Sequence, residues 1–204
     1  LPFIKNKFIT FGSLHKLTKV NEDVIAIWSK VLSSVSNSKL ILKTKNLDNK
    51  RVRDDIINKF KKNNIRSNQI VLLGESKSRE ELLRVYNNID ISLDTFPFQG
   101  FTTSHESVWM GVPLLTLKGN RMLFHSGEFI NSNLGMFDWI AKNSTDYISK
   151  ALEFSSNINE LTKIRKSLRK KVLDSPLCDS ENFGIHFSKM FWEMWKRFNK
   201  KNNF

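Results

Sequence analysis

The stretch Asp94-Thr-Phe-Pro-Phe-Gln-Gly-Phe-Thr-Thr-Ser-His-Glu-Ser-Val-Trp-Met-Gly-Val-Pro-Leu-Leu115 decides how this chain folds. An apolar run over 89–93 ends at Asp94, and a turn-rich segment with Pro97 and Gly100 follows. Thr102 and Thr103 then open a helix, which closes at Gly111 to Pro113 before a second apolar run. The predicted order is strand, loop, helix, strand. Helix-start N–H groups at the carboxyl end of a strand form a natural anion site. Glu106 stands one turn further along, where a carboxylate can take a pair of sugar hydroxyls. Together these residues lead us to expect a nucleotide diphosphate at the helix end, with its ribose on Glu106.

The same alternation continues on both sides. Strands are predicted over 8–11, 39–44, 69–73, 89–93 and 113–117, and helices over 22–35, 49–63, 78–87, 102–110, 121–131 and 145–154. Asn21 and Ser78 stand as N-caps, with Glu80 and Glu81 in the first turn that the helix dipole favours. Repeated β-α-β units at short spacing imply an α/β fold with a doubly wound, Rossmann-like parallel sheet. In such sheets ligands lie beyond the carboxyl ends of the strands. We expect this domain over 1–155 and a C-terminal helical extension over 156–204. The extension comprises a basic helix over 158–173, a break at Ser175 and Pro176, and a helix over 183–198. The aromatic stripe of that last helix (Phe187, Met190, Phe191, Met194, Trp195, Phe198) is expected to pack across the domain, with a membrane or partner surface as the alternative. Residues 199–204 are expected to fray, and residues 1–6 read as linker.

Composition narrows the function classes. The 204 residues hold 40% apolar and 26% charged side chains, ordinary for a folded globular chain. No apolar run approaches the ~20 residues of a membrane span, and no signal peptide is evident. The single Cys178 leaves no internal disulfide framework and fits a reducing cytoplasm. The net charge of +13 admits nucleic acid as a partner, but the lysines are spread along the chain rather than clustered. We therefore expect no nucleic-acid partner and a phosphate-bearing small ligand. A basic module binding nucleic acid or a protein stands as the alternative.

Several blocks in order carry a resemblance: Thr10-Phe-Gly-Ser-Leu-His-Lys-Leu-Thr-Lys19, Trp28, Leu73-Gly74, Asp90-Ile-Ser-Leu-Asp94, Gly100-Phe-Thr-Thr-Ser-His-Glu-Ser-Val-Trp-Met-Gly-Val-Pro113, Gly119-Asn-Arg121 and Trp139-Ile-Ala-Lys142. They resemble the C-terminal half of the O-linked N-acetylglucosamine transferase family, including its bacterial tetratricopeptide-linked members. The similarity spans about residues 2–198. It implies the nucleotide-sugar-binding lobe of a GT-B glycosyltransferase, which moves a sugar, N-acetylglucosamine in the first instance, from a UDP-sugar to Ser or Thr of an acceptor protein. By resemblance Lys19 contacts the donor diphosphate and is the catalytic candidate. Thr102 and Thr103 start the phosphate-binding helix, Gly100 opens that block, Glu106 takes the ribose, and the segment with Lys77 and Arg79 holds the uracil. The acceptor lobe, the general base and the helical repeats are expected outside this chain. Two positions depart from the family pattern. Leu82 stands where many members stack a histidine on the base. His125-Ser126 stands where many have Ser-Arg. The base and the sugar are therefore left open, and so is a GT-B transferase with another acceptor.

The chemistry asks for positive charge where the leaving diphosphate develops negative charge. Lys19 and the start of the 102 helix supply it if the sheet winds as predicted. Read on its own, Lys19 is a solvated surface lysine, and the resemblance reverses that reading; Thr102 can be a plain N-cap, a role compatible with phosphate binding. His15, in the same loop as Lys19, is either a phosphate contact or an idle loop histidine. Asp94 is expected to orient the loop, and Asp90 to cap the start of its strand. No His, Cys or Asp cluster has metal-ligand spacing and no Asp-x-Asp pair is present. The expectation is a metal-independent reaction with no cofactor, the UDP-sugar being substrate.

Overall fold

A computed structural model of the chain describes residues 1–121 and 124–201. Six strands build the sheet: β1 (Thr10–Ser13), β2 (Lys39–Lys43), β3 (Ile70–Leu73), β4 (Ile91–Leu93), β5 (Leu114–Leu117) and β6 (Ile140–Ala141). Their order is β3-β2-β1-β4-β5-β6 and every pairing is parallel. Parallel neighbours need crossovers. These come from α2 (Glu22–Ser34), α3 (Lys50–Lys62), α4 (Arg79–Arg84), α5 (Thr102–Trp109) and α6 (Ser126–Asn133), set between the strands after a short α1 (Pro2–Asn6). Three helices follow the sheet: α7 (Ser144–Ser156), α8 (Ile158–Leu173) and α9 (Ser180–Lys201). The winding reverses between β1 and β4, which opens the ligand crevice of doubly wound sheets there.

The strands bury both faces, as a parallel sheet requires. Along β2, Leu40 and Leu42 join the larger core with Phe11, Trp28, Phe60, Ile91 and Leu115, while Ile41 turns to a smaller one with Leu14, Tyr86, Ile89 and Val112. This is the period-two alternation of a strand. Helix starts follow the expected chemistry: the Asn21 side chain accepts from Val24 N at 2.9 Å and Ser78 Oγ from Glu81 N at 3.1 Å.

Several boundaries differ from expectation. β1 starts at Thr10 and runs through Gly12 to Ser13 rather than stopping at the glycine. A Cβ at residue 12 would overlap the Ile89 side chain, so the glycine marks close packing inside a strand. The helix expected over 78–87 ends at Arg84, and Val85–Asn88 tighten into a 3₁₀ turn. Residues read as linker form α1, whose Phe3 amide donates to Asp90 Oδ1 at 3.0 Å, while Thr10 N donates to Oδ2 at 2.9 Å. Asp90 thus ties α1 and β1 together at the start of β4. Burial holds its carboxyl above the usual carboxylate range despite these two amides. The helix expected from Arg121 begins at Ser126; Arg121 lies in a bend, and residues 122 and 123 lie outside the described residues. Of the expected frayed end, 199–201 are helical and 202–204 also lie outside them.

α8 packs as expected, burying Leu161, Leu168 and Val172. The expected packing of α9 is not found: its residues from Ser180 to Phe198 are all exposed, including Phe187, Phe191, Trp192 and Trp195. An amphipathic period reports that a face wants cover; it carries no information on whether the cover comes from the same domain.

Candidate functional site

Asp94, fully buried at the carboxyl end of β4, is the hub of the crevice. Its Oδ1 accepts from Thr95 N at 3.0 Å and Gly100 N at 2.8 Å, and its Oδ2 from Thr116 Oγ1 at 2.9 Å. The 94–100 loop is thereby folded back over the strand end. Gly100 is required there, since a Cβ would overlap the His15 ring and Ser104 Oγ. Gln99 fixes the other side: its Oε1 accepts from Gly127 N at 2.6 Å and its Nε2 donates to Leu117 O. The Tyr147 hydroxyl reaches Asp94 O at 3.2 Å from α7.

Onto this frame the loop after β1 brings two cationic candidates. Lys19 Nζ donates to Gln99 O at 2.7 Å and lies 4.1 Å from the centre of the Phe98 ring. Partial burial lowers its pKa from the ordinary lysine value, against the opposing pull of Asp94. His15, also buried, places Nε2 3.2 Å from Asp94 Oδ1 and Nδ1 2.5 Å from Thr103 Oγ1. The first contact is within ion-pairing reach but outside hydrogen-bonding alignment; the second is a hydrogen bond.

Thr103 sits in the first turn of α5. No side chain caps that helix, and Phe101, not Thr102, is the N-cap residue. The amides of Thr102, Thr103 and Ser104 have no hydrogen-bond partner among the described residues. This leaves three donors and the positive end of the helix dipole facing the crevice. One turn on, Glu106 is buried; its Oε1 pairs with Arg79 Nη2 at 2.6 Å and its Oε2 is unpartnered among the described residues. The carboxylate can therefore accept further donors.

The structure brings Lys19, His15, Gly100, Thr102, Thr103 and Glu106 to one crevice and lets Arg79 reach it from α4. No contact joins Lys77 to them among the described residues; it is exposed, with its backbone amide donating to Glu81 Oε2 at 2.7 Å. Leu82 stays in the smaller core beside Tyr86. His125 pairs with Glu128 at 2.5 Å. No group of three or more His, Cys, Asp or Glu side chains comes together as metal ligands among the described residues.

The sequence reading missed the supports. Tyr86 donates its hydroxyl to Thr103 O at 2.8 Å, and its own carbonyl accepts from Arg165 Nη2 at 2.9 Å; Arg165 Nη1 also reaches Ile89 O at 2.5 Å. Burial pushes the Tyr86 phenol far above its ordinary range. Gln99, Thr116 and Tyr147 complete the set. The available signals were polar atoms in apolar runs: Thr116 among leucines, Tyr147 in the apolar stripe of α7.

Comparison with known proteins places this geometry. The family model described as Glycosyl transferase family 41 matches residues 3–187. A barley (Hordeum vulgare) protein described as probable UDP-N-acetylglucosamine–peptide N-acetylglucosaminyltransferase SPINDLY is 34% identical over 97% of this chain and 21% of its own length. Its counterpart from Eustoma exaltatum subsp. russellianum is 35% identical over 98% of this chain and 22% of its own. An O-GlcNAc transferase structure from Thermobaculum terrenum superposes with a TM-score of 0.89 at 26% identity, over 94% of this chain and 37% of that one. The C-terminal domain of a group 1 glycosyl transferase from Francisella tularensis shares the fold, with a TM-score of 0.59 at 14% identity over 84% of this chain and 89% of that one. The chain thus spans about a fifth of the length of these curated relatives.

Proposed function

The chain belongs to glycosyl transferase family 41, and from that premise we propose that it is the donor-binding half of an enzyme moving N-acetylglucosamine from a UDP-sugar to Ser or Thr of a protein. The observation that carries this reading is that the loop after β1 reaches the segment leading into α5 at two points, Lys19 on Gln99 O and His15 on Thr103 Oγ1, beside three unbonded amides of α5. That arrangement supports a diphosphate lying there.

Each group then has a task. As the anomeric bond breaks, negative charge grows on the β-phosphate; Lys19 and the start of α5 take that charge with the chain's own groups. Lys19 leaves Gln99 O to do so. Thr102 and Thr103 add hydroxyls, Gly100 lets the loop approach, and Glu106 accepts the ribose hydroxyls on its unpartnered Oε2 once the side chain turns that buried oxygen outward. Arg79, with Lys77 beyond it, borders the base. The acceptor-binding residues, the general base, an N-terminal lobe and helical repeats are assigned to the remainder of a longer protein. Neither a metal nor a cofactor is assigned a part. A reducing, cytoplasmic setting agrees with the lone exposed Cys178, and among the described residues no helix is long and apolar enough to cross a membrane.

Calorimetric titration of the chain with UDP, UDP-N-acetylglucosamine and GDP tests the reading. Saturable binding of UDP and its sugar supports it; preference for GDP would change the base and keep the fold's role. No nucleotide binding by the folded chain, with salt-steep binding to DNA or RNA instead, would overturn it in favour of a nucleic-acid module.

A further inference from the structure

His15 stands between a buried acid and the hydroxyl assigned to the phosphate, and its two nitrogens face unlike partners. Nε2 lies 3.2 Å from Asp94 Oδ1, an oxygen already accepting two backbone amides. Nε2 is not aligned for a hydrogen bond to that oxygen, but a proton there faces the carboxylate charge favourably whereas a lone pair would be repelled, so Nε2 carries the proton. With Nε2 protonated, the neutral imidazole has only Nδ1 as acceptor. Thr103 Oγ1, 2.5 Å away, must then give its own proton to Nδ1. In that state the hydroxyl has no proton for a diphosphate and turns lone pairs toward it.

We propose that His15 takes up one proton from solvent when a diphosphate binds. Protonated Nδ1–H then donates to Thr103 Oγ1, which frees the threonine O–H to donate to a phosphate oxygen. The bond order along the line reverses, and the balance is one proton gained by the complex. His15 is in this sense a positioning residue, acting on the ligand through Thr103, and it brings a positive charge beside the diphosphate as well. This rests on the donor-site reading above.

The charges around it are consistent with a coupled response. Asp94 faces Nε2 from the end of β4 and favours the cation. Lys19, on the same loop and held on Gln99 O, opposes it, as does exposed Lys16. From the α5 side come the phenol of Tyr86, hydrogen-bonded to Thr103 O, and the Glu106–Arg79 pair one turn on. A bound diphosphate offsets the lysines and tips the sum toward the imidazolium.

The test is calorimetry of UDP binding to the chain near pH ~7 in buffers of differing ionisation enthalpy, which counts protons taken up. The same titration on His15→Asn, whose amide cannot titrate, accounts for protons bound by UDP itself. The expected result is up to one proton more for the wild type. Its UDP affinity should also fall with rising pH by up to about tenfold per pH unit more steeply than that of the variant. Imidazole nitrogen NMR of the wild type, with only four histidines to resolve, should show Nδ1 of His15 becoming protonated as UDP is added. That signal decides the matter alone if His15→Asn does not fold. UDP binding with equal proton uptake in both proteins, or with Nδ1 unprotonated in the complex, overturns this proposal and leaves the donor site standing. Absence of any UDP binding removes both.

Discussion

Arg79 Nη2 stands 2.6 Å from Glu106 Oε1, so an exposed guanidinium already rests on the buried carboxylate that faces the crevice. Only one carboxylate oxygen is engaged, and the other is buried without a partner among the described residues. If Glu106 takes the ribose, Glu106→Gln should weaken UDP binding by about 1.5–3 kcal/mol, the range of hydrogen bonds to a charged group. The variant should also bind UDP and its 2′-deoxy analogue nearly alike. Competition titration with the two ligands checks this; unchanged discrimination would move the ribose elsewhere. Arg79 is 64% exposed but Glu106 only 8%, so Arg79→Ala strands a buried carboxylate and should lower the melting temperature by ~4 °C or more.

Lys19 should matter to the ligand more than to the fold. Lys19→Met should weaken UDP binding by about 1.5–3 kcal/mol without lowering the melting temperature. Its folded pKa is depressed by partial burial, so the unfolded chain holds that proton more tightly. Between the depressed value and the ordinary lysine value of about 10.4, the unfolded state binds more protons and stability rises with pH. Urea midpoints along an alkaline series should show this contribution in the wild type and not in Lys19→Met.

The counter-charge proposed for the diphosphate comes from the chain. EDTA treatment should therefore leave the UDP affinity unchanged. A loss of tenfold or more, about 1.4 kcal/mol, restored by a divalent cation, would assign the metal a part that Lys19 and α5 do not fill.

Gly100→Ala probes the frame. The added methyl would collide with the His15 ring and Ser104 Oγ, and overpacking of this kind costs about 1–3 kcal/mol. The variant should fold, melt lower, and bind UDP at least about tenfold more weakly, because both His15 and the start of α5 must move. Retained affinity with lowered stability would show that the loop adapts without disturbing the site.

Removing α9 should leave the rest of the chain standing. Its residues from Ser180 to Phe198 are all exposed, so a chain ending at Asp179 should melt within ~2 °C of the original. Because the helix displays Phe187, Phe191, Trp192 and Trp195, the shortened chain should also self-associate less, measured by sedimentation.

The alternation of strands and helices was legible because periodicity and caps are local: Asn21, Ser78 and the apolar runs carry it without help from distant residues. The site was legible where a local motif coincided with a strand end, at Gly100 to Glu106, and at Lys19 through resemblance. The rest was not, for one physical reason. Gln99 meets Gly127 and Leu117, Thr116 meets Asp94, and Tyr86 meets Thr103, all across 16 or more intervening residues. Such pairs leave no periodic trace. For α9 the preferred expectation of packing failed for a related reason, since periodicity specifies a face and not its partner; the alternative of an exposed surface is the one that agrees with the structure.

Tyr86 is gripped at both ends. Arg165 of α8 clasps its carbonyl while its phenol clasps the carbonyl of Thr103. It works as a strut, and α8 is joined to α9 through the turn at Pro176–Cys178. The seat of α8 on the domain is thus braced, through that strut, against the first turn of α5.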